Sequence, residues 1–262
     1  MERRLLLLAA FVALPTFLHA AAAAPTPQKP RAVQQFTTGW RFLQADAPGA
    51  EKPDFDDSAW TAVTLPHDWS IAGPFKEDAP SKGAGAFAPT GIGWYRKTFT
   101  VPASWKGRII KVNFEGVQNA AEIWLNGKPV AVTEASWGRV NYHESGWTAW
   151  QADLTDQVKF GEENLLALRV SKNNKSTDLD TGDYFILGGI YRPVTLFAVP
   201  PNHIADLTVR THLLSGGRAE VKTLISVAGG APEKIKATVN LEGKKGYSLI
   251  RLFSSARAWR SV

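Results

Sequence analysis

In short runs along this chain every second residue is apolar, and that pattern limits what the chain can fold into more than any other feature. Ile110, Val112 and Phe114 alternate with Lys111, Asn113 and Glu115, and Leu166, Leu168 and Val170 repeat the rhythm. Successive side chains of a strand point to opposite faces, so each run carries one apolar and one polar face. Tyr95, Phe99 and Val101 supply another inward row, and the neighbours Trp94 and Tyr95 are expected to place one ring on each face of a sheet. Leu125-Asn126-Gly127-Lys128 predicts a hairpin, because Asn-Gly supplies the two positive φ values of a type I′ turn. Helical signal amounts to single turns at 153–158 and 55–60, the second capped by Asp56 or Asp57. Short strands separated by turn signals define an all-β sandwich.

The two ends read differently. Arg3 and Arg4, an apolar stretch from Leu5 to Leu18 interrupted by Pro15, and Ala20-Ala21-Ala22 make the pattern of a signal peptide over residues 1–22. The apolar stretch is shorter than the roughly 20 residues of a spanning helix. The expectation is an exported protein, periplasmic or secreted, with no membrane partner. Residues 23–32 are rich in Ala and Pro and read as a flexible N-terminus. The sandwich is expected over 33–200 and ends at Val199-Pro200-Pro201, where two prolines stop a strand. Residues 204–213, 219–228 and 234–241 read as three further strands of an incomplete second domain at 203–243. Beyond Gly243 the alternation fails, and 244–262 reads as an irregular tail.

Composition removes several kinds of chemistry. The chain has no Cys, which excludes disulfides, thiol catalysis and Cys-based zinc sites. The formal charge of +6 comes from scattered residues with no Lys/Arg run longer than a pair, so no nucleic-acid footprint is expected. Ten Trp suit both a sandwich core and a sugar-stacking surface, since the ring buries much area and keeps a polar handle.

A series of motifs runs from about Phe36 to Leu241. Gly39-Trp40-Arg41-Phe42 comes first, then Phe55-Asp56-Asp57-Ser58-Ala59-Trp60 and Leu65-Pro66-His67-Asp68-Trp69. Gly91-Ile92-Gly93-Trp94-Tyr95-Arg96-Lys97-Thr98-Phe99 is next, and Phe114-Glu115-Gly116-Val117 leads into Ala121-Glu122-Ile123-Trp124-Leu125-Asn126-Gly127. Trp147-Thr148-Ala149-Trp150, Asp153-Leu154-Thr155 and Asn164-Leu165-Leu166 precede Gly182-Asp183-Tyr184-Phe185-Ile186-Leu187-Gly188-Gly189-Ile190-Tyr191-Arg192-Pro193. In order and spacing together they resemble the sugar-binding sandwich of glycoside hydrolase family 2, the family of β-galactosidases, β-glucuronidases and β-mannosidases.

The resemblance implies a jelly-roll-like β-sandwich followed by an incomplete immunoglobulin-like β-sandwich. It implies that Asp183 reaches the substrate sugar, as a carboxylate able to accept charge-assisted hydroxyl hydrogen bonds. Some β-galactosidases place a second sugar contact on an Asn before Pro-Thr-Gly, but here Ala88 precedes Pro89-Thr90-Gly91. Retaining glycosidases need two carboxylates about 5–5.5 Å apart. The family carries them on a later (β/α)₈ barrel, the acid/base within an Asn-Glu pair, and this sequence has no Asn-Glu dipeptide. No catalytic residue, metal ligand or cofactor is therefore assigned, although some relatives use Mg²⁺ or Na⁺ at the barrel. His67-Asp68 lacks an accompanying Ser nucleophile motif and reads as structural or as part of a substrate rim. Glu115, Asn126 and Arg96 read as polar anchors of turns and strand edges. The expected function is the N-terminal portion of an exported family 2 glycoside hydrolase, most like a β-galactosidase, inactive alone and partnered by a β-galactoside-like carbohydrate. The alternatives are a carbohydrate-binding module without catalysis and an inactive truncated product. Full-length relatives can be oligomers.

Overall fold

The computed structural model describes residues 31–83, 85–174, 176–177 and 187–229. The expectations for 1–22, for most of 23–32, for a strand at 234–241 and for the tail at 244–262 lie outside these residues, as does Asp183.

Two antiparallel sheets face each other. The smaller one has the strand order β1 (Ala32–Gln35), β11 (Val194–Val199), β5 (Ile109–Phe114), β9 (Trp150–Asp153). The larger, seven-stranded sheet runs β3 (Thr61–Val63), β2 (Trp40–Leu43), β4 (Ile92–Thr100), β10 (Glu163–Ser171), β6 (Ala120–Leu125), β7 (Lys128–Pro129), with β8 (Tyr142–Glu144) also paired to β6. Alternation places Ile110, Val112 and Phe114 inward from one sheet, and Tyr95, Leu166, Leu168 and Val170 inward from the other, all fully buried. The fold is an all-β sandwich, and its main core is the layer between the sheets.

The Asn126-Gly127 turn forms as the dipeptide predicts. Both residues have positive φ, 52° and 81°, and Leu125 pairs with Lys128 across a two-residue loop. Asn126 also works beyond the turn: its Oδ1 accepts from Leu165 N–H at 2.9 Å and its Nδ2 donates to Asn164 Oδ1 at 3.0 Å. The predicted turn at 55–60 is not helical. Asp56 Oδ1 accepts from Ser58 N–H at 2.9 Å, and that Asx turn satisfies the backbone locally without starting a helix. At 153–158 one helix-like bond forms, Val158 N–H to Leu154 C=O at 2.9 Å, behind a similar Asp153–Thr155 turn.

The larger sheet is buried on both faces at its centre. Trp94 and Tyr95 do straddle it: Tyr95 enters the main core, while Trp94 packs outside with Ala50, Trp60 and Ala167. The cover is the loop between β2 and β3, held by Arg96. Arg96 sits in the middle of the sheet, not at a strand edge, and is 3% exposed. Its guanidinium donates to Asp57 Oδ2 at 2.7 Å, to Lys52 C=O at 2.9 Å, to Phe55 C=O at 3.2 Å and to Ala50 C=O. Glu115 is exposed and is engaged through its backbone, Glu115 N–H donating to Pro193 C=O and Glu115 C=O accepting from Arg192 Nη1 at 3.4 Å.

Beyond β11, β12 (His203–Leu214) and β13 (Arg218–Ala228) form a two-stranded antiparallel ribbon with a register shift between Ile204 and Asp206. The strands expected at 204–213 and 219–228 fall within it.

Candidate functional site

Loops gather where β10 runs out at Ser171 and β11 has yet to begin. The stretch 67–70 lies alongside 188–190 through two backbone bonds, His67 N–H to Ile190 C=O at 2.8 Å and Trp69 N–H to Gly188 C=O at 2.9 Å. Such close approach demands glycine. A Cβ on Gly189, whose φ is +114°, would lie 2.3 Å from the Tyr95 hydroxyl, and one on Gly188 would lie 2.6 Å from Ser70 Oγ.

Polar side chains reinforce this seam. Asp68 Oδ1 accepts from Ser70 N–H at 2.8 Å, Ile71 N–H at 3.3 Å and Gly188 N–H at 2.9 Å. His67 Nδ1 and the Tyr95 hydroxyl are 2.8 Å apart, so His67 and Asp68 have separate partners and do not form a dyad. Lys172, 4% exposed, donates to Ser70 Oγ at 2.6 Å and to Pro89 C=O at 3.0 Å. Burial pushes the Lys172 ammonium down to about 8, against the opposing pull of Asp68. Burial likewise lowers the His67 imidazole and raises the Tyr95 phenol, so both stay neutral at pH 7.

A second cluster flanks the same chain segment. Ser176 N–H donates to Glu144 Oε1 at 2.7 Å, and Ser176 Oγ donates to Asn119 Oδ1 at 3.1 Å. Burial raises the Glu144 carboxyl, but hydrogen bonds from Tyr142, Trp137 and Ser176 outweigh it and leave it below its usual range. Asn119 is fully buried, as is Gln118, whose backbone exchanges two bonds with Gly189 at 2.9 and 3.0 Å.

The sequence-predicted contact, Asp183, lies outside the described residues, between the flanks at Thr177 and Leu187. Ala88 is 3% exposed, with its carbonyl bonded to Ser81 Oγ, so the position before Pro-Thr-Gly is turned inward. Lys172, Glu144 and Asn119 escaped sequence reasoning. Lys172 gave no signal, being one cation after a strand, whereas the Gly188-Gly189 pair was a visible marker of close packing. Among the described residues no group of three or more His, Asp or Glu could hold a metal ion.

Loops held on a rigid sandwich are where binding residues gather. Residues 34–200 match the family described as glycosyl hydrolases family 2, sugar binding domain, and the chain belongs to that family. It is 33% identical over 235 residues to the beta-galactosidase BoGH2A of Bacteroides ovatus, covering 87% of this chain and 26% of that protein. A Thermoanaerobacter pseudethanolicus beta-galactosidase is 30% identical over 222 residues, covering 82% of this chain and 27% of that one. Among solved structures, a Bacteroides uniformis beta-glucuronidase aligns with a TM-score of 0.65 and 30% identity, covering 77% of this chain and 23% of that one. The chain spans about a quarter of the length of these relatives.

Proposed function

We propose that this chain is the sugar-binding front portion of an exported family 2 glycoside hydrolase that cleaves β-galactosides with retention. The observation that carries the reading is the unbroken match over residues 34–200 together with the likeness to the Bacteroides ovatus beta-galactosidase. The reacting carboxylates lie on a barrel supplied outside these residues. A barrel takes about 250 residues, and the relatives are about three times this chain's length.

The part played here is to hold sugar. Asp183 accepts hydroxyl hydrogen bonds from the galactoside, presented between flanks that are fastened to the sandwich. Binding of methyl β-D-galactopyranoside to the purified chain, followed by NMR, tests this. Saturable binding is expected, weakened about 10- to 150-fold in Asp183→Asn, because hydrogen bonds to charged groups contribute roughly 1.5–3 kcal/mol. Absent binding, or binding indifferent to Asp183→Asn, refutes the assignment.

A further inference from the structure

The loop between β7 and β8 holds an aromatic ring out toward solvent. Trp137 is 62% exposed, and its φ of +57° lies in the left-handed region, where a bulky side chain is an outlier. Strain of this kind persists only where the surroundings over-determine it. Here the loop is closed at its base: Ser136 N–H donates to Tyr142 C=O at 2.9 Å, and Ser136 Oγ accepts from Glu144 N–H at 3.1 Å. Glu144 Oε2 accepts from both the Trp137 indole N–H and the Tyr142 hydroxyl, the latter at 2.8 Å, so the indole is fixed by its edge. Arg139 joins the same cluster. Its Cζ stands 4.4 Å from the centre of the Tyr142 ring, and one of its five N–H donors goes to Glu122, while the side chain is 47% exposed. We infer that Trp137 and Arg139 form a carbohydrate-binding platform for a β-galactoside unit, the sugar's C–H face lying on the indole and its hydroxyls accepting from the guanidinium.

The inference rests on the sugar-binding reading above and adds to it residues of a fully described loop. An aromatic face is the negative side of the ring's quadrupole and attracts C–H bonds. A galactoside suits it, because the axial 4-hydroxyl leaves an unbroken face of C–H bonds on the other side of the sugar. Both planar groups are held in place before binding, the indole by Glu144 and the guanidinium by Glu122 and Tyr142, so little freedom is lost when a ligand arrives. The surroundings are polar. From Val130 to Tyr142 the exposed large apolar side chains are Trp137 and Val140, and Thr133, Glu134 and Arg139 are exposed among them. The centre of a protein interface is depleted of charge, so this setting fits a polyhydroxy ligand better than an apolar protein surface.

Proton–nitrogen NMR of the full 262-residue chain can follow the Trp137 indole N–H, assigned by its loss in Trp137→Phe, as methyl β-D-galactopyranoside is added. A saturable shift is expected. The Gly138 amide reports affinity in the variants: a fall of at least about fivefold is expected in Trp137→Ala and in Arg139→Met, and a smaller one in Trp137→Phe, which keeps a ring. Trp137→Gly relieves the strained φ, so it should melt no lower than wild type while losing the same affinity. A fall of more than about 4 °C in its Tm would make Trp137 a structural residue and overturn the proposal. An indole that stays still while amides near Thr177 and Leu187 shift overturns the platform and leaves the contact at Asp183 standing. An indole that shifts with equal affinity in wild type and Asp183→Asn, while those amides stay still, upholds the platform and refutes that contact. No shift anywhere in the chain overturns both. An indole that moves with protein concentration and not with sugar marks a contact between copies, and overturns the platform too.

Discussion

Replacing Arg96 by Met keeps most of the side chain's volume but removes every donor that holds the β2–β3 loop on the outer face of the larger sheet. The side chain is 3% exposed and its ion-pair partner Asp57 is 29% exposed. Breaking a buried pair costs about 3–5 kcal/mol, and a partner that can rehydrate moves the value toward the lower end. The carbonyls of Ala50, Lys52 and Phe55 lose their donor as well, at about 1 kcal/mol or more for each that stays dry. About 3–4 kcal/mol is therefore expected, or about 6–16 °C in Tm for a domain of this size. Urea unfolding followed by tryptophan fluorescence measures the loss. Acrylamide quenching distinguishes global unfolding from release of the loop, because Trp60 and Trp94 are 7% and 2% exposed only while it is closed. A loss under about 1 kcal/mol with unchanged quenching would refute the reasoning, showing that the loop is held by Trp60 and Phe55 packing and not by the guanidinium.

Lys172 makes stability depend on pH in a predictable direction. Its folded-state value of about 8 lies below the ordinary 10.5, so the unfolded chain binds more protons between the two and stability rises with pH there. Relative to Lys172→Met, wild type should gain about 2 kcal/mol from pH 7 to 9.5, read as the difference between their urea midpoints; equal slopes would contradict the burial argument. Gly189→Ala should cost at least about 2 kcal/mol, since φ +114° and contact with the Tyr95 hydroxyl are both denied to a Cβ; a loss under about 0.5 kcal/mol in urea would show that the seam can yield. Expressed with its natural N-terminus and recovered from the export compartment, the protein should begin near Ala23 by N-terminal sequencing, and an intact Met1 would refute the signal-peptide reading. The purified chain should not turn over nitrophenyl β-galactoside, and activity that co-purifies through successive columns would show that a catalytic pair lies within it.

What the sequence disclosed was whatever depends on neighbours in sequence. Ile110, Val112 and Phe114 could be placed inward because the two-residue period fixes their face, and Asn126-Gly127 could be placed in a turn because φ is a local property. Ala167 could not be placed in a second buried layer, because its cover arrives from residues near Ala50 and Trp60. Asp56 misled for a specific reason: a helix cap and an Asx turn present the same side-chain oxygen to the same N–H two residues on, and only the path of the backbone beyond that N–H separates them. Lys172 was illegible altogether, since its neighbours in sequence are polar and Ser70 is 102 positions away.

Two buried cations, Arg96 within the larger sheet and Lys172 just beyond the end of β10, show how residue type divides labour in one scaffold. Arg96 offers a planar fork that cannot lose its proton, and it holds a loop whose task is to close a core face at any pH. Lys172 holds two acceptors, Ser70 Oγ and Pro89 C=O, with a group that titrates near 8. Burial favours the neutral amine, which retains two N–H donors for these acceptors, so raising the pH through 8 favours the closed seam over any opened state that rehydrates Lys172. At pH 9.5 the protein should therefore keep Trp60 and Trp94 shielded while the protection factor of the Gly188 amide rises relative to Lys172→Met. If the tryptophan shielding and the Gly188 protection move together, the loop end of the sandwich is not an independent unit, and equal protection in wild type and Lys172→Met would refute the role given to the lysine.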